Sequence, residues 1–198
     1  MDRPQYKSLN ISEQEISAIR RYISNAHISM NALLDVDPQV INEQQSKGWV
    51  IDFSEDGIEK NIEYLTRLYS AMYKYSLQNP SDRCRVYRGT SRREIHKLRS
   101  EGISGRFLST TTDKNTAMSF TEYNNGAFLD MHLDGVPYIP TDEFLDETQF
   151  SESEILVAPF SMIENIEEHS SGNTPGVQTY WADVKKKEFA NISDEQRR

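Results

Sequence analysis

The sequence predicts an α+β domain. Helical periodicity is confined to the first part of the chain, and short β-rich runs bounded by turn residues fill the rest. No alternating strand–helix unit with a Gly-rich phosphate loop of the Rossmann or Walker type interrupts that order, and there is no internal repeat or low-complexity block. All 198 residues are read as one domain: a helical lobe over about 8–80, a β-rich core over about 82–187 and a polar tail over 188–198.

The first helix opens on the capping box Ser12-Glu13-Gln14-Glu15, with Ile11 and Ile16 placed as a hydrophobic staple. Ile16, Ile19 and Ile23 follow at helical spacing, and the helix is expected to break near Asn25-Ala26-His27. Met30, Leu33 and Leu34 suggest a second short helix that ends around Asp35-Val36-Asp37-Pro38. A longer helix starts near Ser54 or Asp56, carries Ile58, Ile62, Leu65, Leu68, Tyr69 and Met72, and stops before Asn79-Pro80, because proline disfavours the helical region for the residue before it.

Beyond residue 82 the texture changes. Cys84 to Arg88 reads as a strand, Arg92 to Arg99 as a helix stopped by Gly102, and Arg106 to Thr111 as a second strand. Asp113 can cap a helix carrying Ala117, Met118 and Phe120. Ala127 to Leu133 alternates as a half-buried strand does. Thr141 to Gln149 reads as an acidic loop. Ser153 to Phe160, Met162 to Glu167 and Val177 to Val184 read as further strands, with a turn cluster at Ser170 to Gly176.

Composition narrows the function. Twenty-two basic against 31 acidic residues give a net charge of −9, which argues against general binding of nucleic acid or an anionic membrane. No signal-peptide pattern opens the chain, and no apolar run approaches the ~18 residues of a membrane span. A single cysteine, Cys84, permits no internal disulfide; between Arg83 and Arg85 its thiol could be activated, but a buried strand cysteine is the preferred reading. The histidines His27, His96, His132 and His169 show no metal-ligand spacing, so no metal is expected.

Three strand-borne pieces stand out: Val86-Tyr87-Arg88-Gly89-Thr90, then Phe107-Leu108-Ser109-Thr110-Thr111-Thr112-Asp113, then Phe150-Ser151-Glu152-Ser153-Glu154-Ile155-Leu156-Val157. Each alone fits ordinary strand surface. In this order and spacing they resemble the arginine/serine/Glu-x-Glu clade of bacterial mono-ADP-ribosyltransferases. The run Ile11 to Tyr22, the stretch Ser29 to Leu34, and Pro137-Tyr138-Ile139-Pro140 followed by an acidic loop fit the same family, so the resemblance spans about residues 11–185. It implies a helical amino-terminal lobe plus two packed, mainly antiparallel β-sheets, with a cleft for NAD⁺ as co-substrate.

The resemblance also implies roles. Arg88 matches the phosphate-binding arginine, whose planar fork suits phosphate oxygens. Gly89 would let the dinucleotide approach the backbone. Ser109 would orient the catalytic Glu154, and Thr110 belongs to the same nucleotide-binding strand. Thr111 stands where the family's motif has a second serine. Phe107 is expected near the nicotinamide end, with plain core as the alternative. Glu154 would stabilise positive charge on the ribose as the nicotinamide bond breaks. On an extended segment Glu152 would face the same side, roughly 6–7 Å along the chain, and would hold an arginine acceptor. Phe144 or Phe150 would present an aromatic to the target protein; either could equally pin its loop to the core.

The expected partners are NAD⁺ and an unidentified target protein, with neither nucleic acid nor membrane. The expected setting is that of a soluble bacterial effector or toxin component delivered by other machinery, or of a phage-encoded enzyme. An inactive binding module of the same fold and an NAD⁺ glycohydrolase are the alternatives. A retaining glycosidase would need sugar-stacking aromatics around its carboxylates, and no such pattern is present.

Overall fold

The computed structural model of the chain describes residues 10–34, 41–42, 45–48, 51, 54–80, 84–123, 126–145, 153–169 and 176–186. Helix α1 (Glu13–Arg21) starts on the capping box. The Ser12 hydroxyl accepts from the Glu15 N–H at 3.3 Å, and the Glu15 carboxylate accepts from the Ser12 N–H at 2.7 Å, which satisfies two donors the first turn leaves open. That carboxylate also accepts from Ser70 Oγ at 2.6 Å and Lys74 Nζ at 2.9 Å, tying α1 to the long helix α3 (Glu55–Gln78). Burial pushes the Glu15 carboxyl up, but the bonds from Ser70, Lys74 and Ser12 outweigh it and hold its pKa at about 2.

The break expected at Asn25-Ala26-His27 does not occur. The backbone widens into a π-helical turn over Tyr22–Ala26 and continues into α2 (His27–Leu34). No Gly or Pro stops it, and the extra residue of the π turn lets Ile16, Ile19, Tyr22 and Met30 enter one core.

Among the described residues eight strands follow: β1 (Cys84–Ser91), β2 (Ile103–Ser104), β3 (Leu108–Thr111), β4 (Gly126–Asp134), β5 (Tyr138–Pro140), β6 (Glu154–Val157), β7 (Ser161–His169) and β8 (Gln178–Lys185). Helix α4 (Arg92–Glu101) leaves β1 on a Ser91 N-cap and ends at Gly102, whose φ of +66° suits glycine. Helix α5 (Lys114–Tyr123) follows β3, with Asp113 accepting from the Asn115 and Thr116 N–H groups. Strands β2 and β5 are too short to show a two-residue period, which is why the sequence does not reveal them. Pro140 is tolerated because β5 is an edge strand.

The architecture is α+β, as expected, but the two expected sheets are one. The strand order is β2-β7-β8-β4-β1-β3-β6-β5, antiparallel except for the β4–β8 pair. The two halves join at a single backbone pair, Tyr87↔Thr111, and the sheet folds over there. One core lies inside the fold, where Leu108, Ile155 and Val157 of the short half meet Val86, Leu129, Met131 and Leu133 of the long half, with Ile95 and Leu98 of α4 alongside. A second core packs Phe107, Ile139 and Leu156 from the short half against α1, α2 and α3. Successive residues of β6 therefore serve different cores, as do Phe107 and Leu108 at the entry to β3, which is what strand alternation requires.

Cys84 is half-buried, and burial pushes its thiol pKa up. Arg85 does not activate it, being engaged with Asp130 at 2.6 and 2.9 Å. No helix among the described residues is long and apolar enough to cross a membrane.

Candidate active site

A cavity of about 190 Å³ opens where the sheet folds over. Arg88, Gly89, Ser109, Thr110, Thr111 and Glu154 line it, together with Tyr87, and Thr116, Ala117 and Phe120 line it from the α5 side. Residues from β1, β3 and β6 that lie far apart in sequence thus share one wall.

The β3–β6 register explains the central contact. Ser109 pairs with Leu156 and Thr111 with Glu154, so Ser109 and Glu154 are diagonal neighbours on one face. Ser109 Oγ donates to Glu154 Oε1. The other carboxylate oxygen, Oε2, accepts from Thr141 Oγ1 at 2.7 Å. Thr141 opens a 3₁₀ turn (Thr141–Phe144) directly after β5 and is 1% exposed. Thr110 lines the cavity, but its hydroxyl donates to the Ile155 carbonyl at 2.6 Å across the strand pair. Thr111 Oγ1 accepts from the Asp113 N–H at 3.0 Å and so shapes the turn into α5.

Arg88 is positioned from two sides. One Nη donates to the Ser109 carbonyl at 2.5 Å, and the other lies 3.3 Å from Glu94 Oε1 on α4. Its Nε, buried, has no hydrogen-bond partner among the described residues, so the guanidinium keeps unused donor capacity. Glu94 also accepts from Thr90 Oγ1 and pairs with Arg106 at 3.0 Å. Burial pushes the Glu94 carboxyl up, yet Arg88, Arg106 and Thr90 together bring it down to about 2. Two guanidiniums thus share the Glu94 carboxylate, and Arg88 and Glu154 are the charged residues that line the cavity.

Helical-lobe residues stand close enough to Glu154 to feel its charge. Burial pushes the Tyr22 phenol up and the His27 imidazole down, and each also senses Glu154. Tyr22 accepts a hydrogen bond from Asn31 at 3.0 Å, and Asn31 accepts from the Phe107 N–H at 3.1 Å, which pins the start of β3 to α2.

Gly89 lines the cavity, and packing also requires a glycine there: a Cβ would sit 2.1 Å from the Ala117 carbonyl and 2.7 Å from Phe120 Cβ. Of the two readings open for Phe107 and for Phe144, the core one holds for both. Phe107 is 2% exposed, edge-on to Tyr22 at 5.3 Å, in the helical-lobe core. Phe144 cannot present an aromatic to a target protein, because it is 1% exposed and packs in the same core. Glu152 and Phe150 lie outside the described residues. No cluster of three or more His, Cys, Asp or Glu side chains that could hold a metal ion occurs among the described residues.

Thr141 and Glu94 join the site without having stood out in the sequence. Pro140 ahead of a polar residue signals a turn, but nothing local points Thr141 at a carboxylate 13 residues later. Ser91 at the N-cap with Glu94 at the third position resembles a capping pair, which hides the role of Glu94 beneath Arg88.

No family model and no curated protein matches the sequence. Solved structures do match its fold. Vis, an ADP-ribosyltransferase toxin from Vibrio splendidus solved in complex with agmatine, is 19% identical over 89% of this chain and 76% of that one, with a TM-score of 0.60. Exoenzyme S from Pseudomonas aeruginosa, solved with human 14-3-3 protein beta and bound to carba-NAD, is 16% identical over 97% and 86%, with a TM-score of 0.61. An ADP-ribosyltransferase from Clostridium botulinum is 12% identical over 92% and 91%, with a TM-score of 0.56. The chain therefore has the ADP-ribosyltransferase fold.

Proposed function

We propose that this chain is a mono-ADP-ribosyltransferase that moves ADP-ribose from NAD⁺ to a protein side chain and releases nicotinamide. The observation that carries the reading is that the hydrogen-bonded Ser109–Glu154 pair and the Arg88 guanidinium line one cavity. An anionic pyrophosphate suits the Arg88 guanidinium, a planar fork of donors that lines the cavity. Glu154, already fixed by hydroxyl donors, suits a ribose hydroxyl as a further partner, since a carboxylate offers about four acceptor sites.

In this reading the bond between the nicotinamide nitrogen and the ribose anomeric carbon breaks, and its electron pair leaves with neutral nicotinamide. Glu154 stabilises the positive charge left on the ribose more than it stabilises the ground state. The acceptor nitrogen then bonds to the anomeric carbon and gives up a proton. Glu152 is assigned the acceptor side, which favours arginine: a carboxylate holds the guanidinium and takes the proton. The complex of Vis with agmatine, a molecule ending in a guanidinium, supports that choice, and the carba-NAD bound to exoenzyme S supports the dinucleotide. That Vis is a toxin supports an effector or toxin role.

The test is incubation of the chain with labelled NAD⁺ and a cell lysate, followed by mass spectrometry of the labelled residue. Label on protein arginines, lost in Glu154→Ala, is the expected result. Free ADP-ribose alone would move the reading to NAD⁺ glycohydrolase. NAD⁺ untouched and unbound would leave an inactive binding module of the same fold.

A further inference from the structure

We infer that Thr141 is a positioning residue for Glu154, a second hydroxyl that fixes the carboxylate from the side opposite Ser109. This rests on the reading of Glu154 as the group that works on NAD⁺. Ser109 and Thr141 hold different oxygens of one carboxylate, Oε1 and Oε2. A glutamate held at one oxygen can still swing about its terminal bond; one held at both has its plane set. The remaining acceptor sites then point in fixed directions before any ligand arrives, and fixed charges of this kind need no reorganisation during the reaction.

The Thr141 hydroxyl is itself anchored. Arg20 Nε on α1 donates to the Phe144 carbonyl at 2.9 Å, which secures the far end of the 3₁₀ turn. The Phe144 ring is sunk in the helical-lobe core. On the near side, Ser76 of α3 accepts from the Tyr138 N–H at 2.8 Å and donates to the Tyr138 carbonyl at 3.2 Å, fixing β5. Register does the rest, because Pro140 pairs with Ile155, the neighbour of Glu154. The helical lobe thus reaches the carboxylate through Thr141, whereas Ser109 reaches it through the sheet. Tyr22 and His27 are the other titratable groups of that lobe that sense Glu154, and the Arg88 guanidinium lines the same cavity, bonded to the Ser109 carbonyl.

The experiment compares Thr141→Val with Thr141→Ser in NAD⁺ cleavage, with thermal melting alongside. Valine keeps the shape and removes the donor; serine keeps the donor and removes a buried methyl. The expected result is a fall in kcat of about ten- to a hundredfold for Thr141→Val, the usual worth of a hydrogen bond to a charged group, with KM for NAD⁺ within a few-fold. Thr141→Ser stays near wild type in kcat even where its melting temperature drops. Wild-type kcat in Thr141→Val, a rise in KM as large as the fall in kcat, or a larger kcat loss in Thr141→Ser overturns the inference while leaving the proposed reaction standing. A wild-type chain that leaves NAD⁺ intact overturns the reaction itself, and the inference with it.

Discussion

Arg88 and Glu94 form an ion pair, Nη2 to Oε1 at 3.3 Å, that holds the basic wall of the cavity from behind. Glu94 faces two guanidiniums, Arg88 and Arg106, and a threonine hydroxyl. Removing one partner of such a group strands the others without compensation, at a cost of about 3–5 kcal/mol. Glu94→Gln is therefore expected to lower the melting temperature by roughly 6–20 °C for a chain of this size. It also frees Arg88 to turn, so KM for NAD⁺ rises more than kcat falls. Calorimetric melting and steady-state kinetics on one preparation check both parts; an unchanged KM would separate Glu94 from the placement of Arg88.

Acid should unfold the protein through two particular carboxylates. Glu15 and Glu94 are each held at about 2 in the folded chain, against an ordinary glutamate value of 4.5. Between those values the unfolded chain takes up protons that the folded chain refuses, so stability falls as pH falls. The contribution is complete above about pH 5 and disappears progressively toward pH 2. Melting measured across that window should drop steeply, and Glu15→Gln should flatten part of the slope. The variant is weaker than wild type at neutral pH and converges on it in acid. Parallel melting curves at every pH would remove Glu15 from the account.

Gly89 gives a test that separates packing from ligand access. A Cβ 2.1 Å from a backbone carbonyl cannot be absorbed without moving α5 away from β1. Overpacking of this kind costs about 1–3 kcal/mol. Gly89→Ala is expected to melt several degrees below wild type in the absence of any ligand. Were the glycine there chiefly for the dinucleotide, the free protein would melt normally and only KM would rise.

Local features were legible in the sequence, and tertiary ones were not. The Ser12–Glu15 capping box, the Gly102 stop and the Asp113 cap are written in adjacent residues, because the bonds that make them span two to four positions. Arg88, Ser109 and Glu154 were legible as a pattern of motifs, and the fold brings them to one cavity. Thr141 was hidden because its partner comes from another strand, and the acidic residues after it read as loop. Phe144 stayed open between two readings: next to Glu143 and Asp142 it resembles an exposed tip, yet the turn directs its ring into the core. The π turn at Tyr22–Ala26 escaped because its polar residues match a helix end, while the geometry that keeps the backbone paired has no sequence signature of its own.

The hydroxyls on Glu154 should behave as one unit. Ser109 is exposed and its strand neighbours supply the core, so Ser109→Ala should change the melting temperature little. Its expected loss in kcat is about ten- to a hundredfold, as for any donor to a charged group. If the carboxylate works only when both oxygens are held, losing either hydroxyl already frees its plane, and losing both adds little. The double variant Ser109→Ala with Thr141→Val is thus expected within a few-fold of the weaker single variant, well short of the product of the two losses. Residues that act through one group show this non-additivity, while independent contributions multiply. Single-turnover NAD⁺ cleavage by the four proteins of the cycle measures the coupling directly. A multiplicative result would mean that each hydroxyl supports the reaction separately and that Glu154 is not held as a rigid pair-clamped carboxylate.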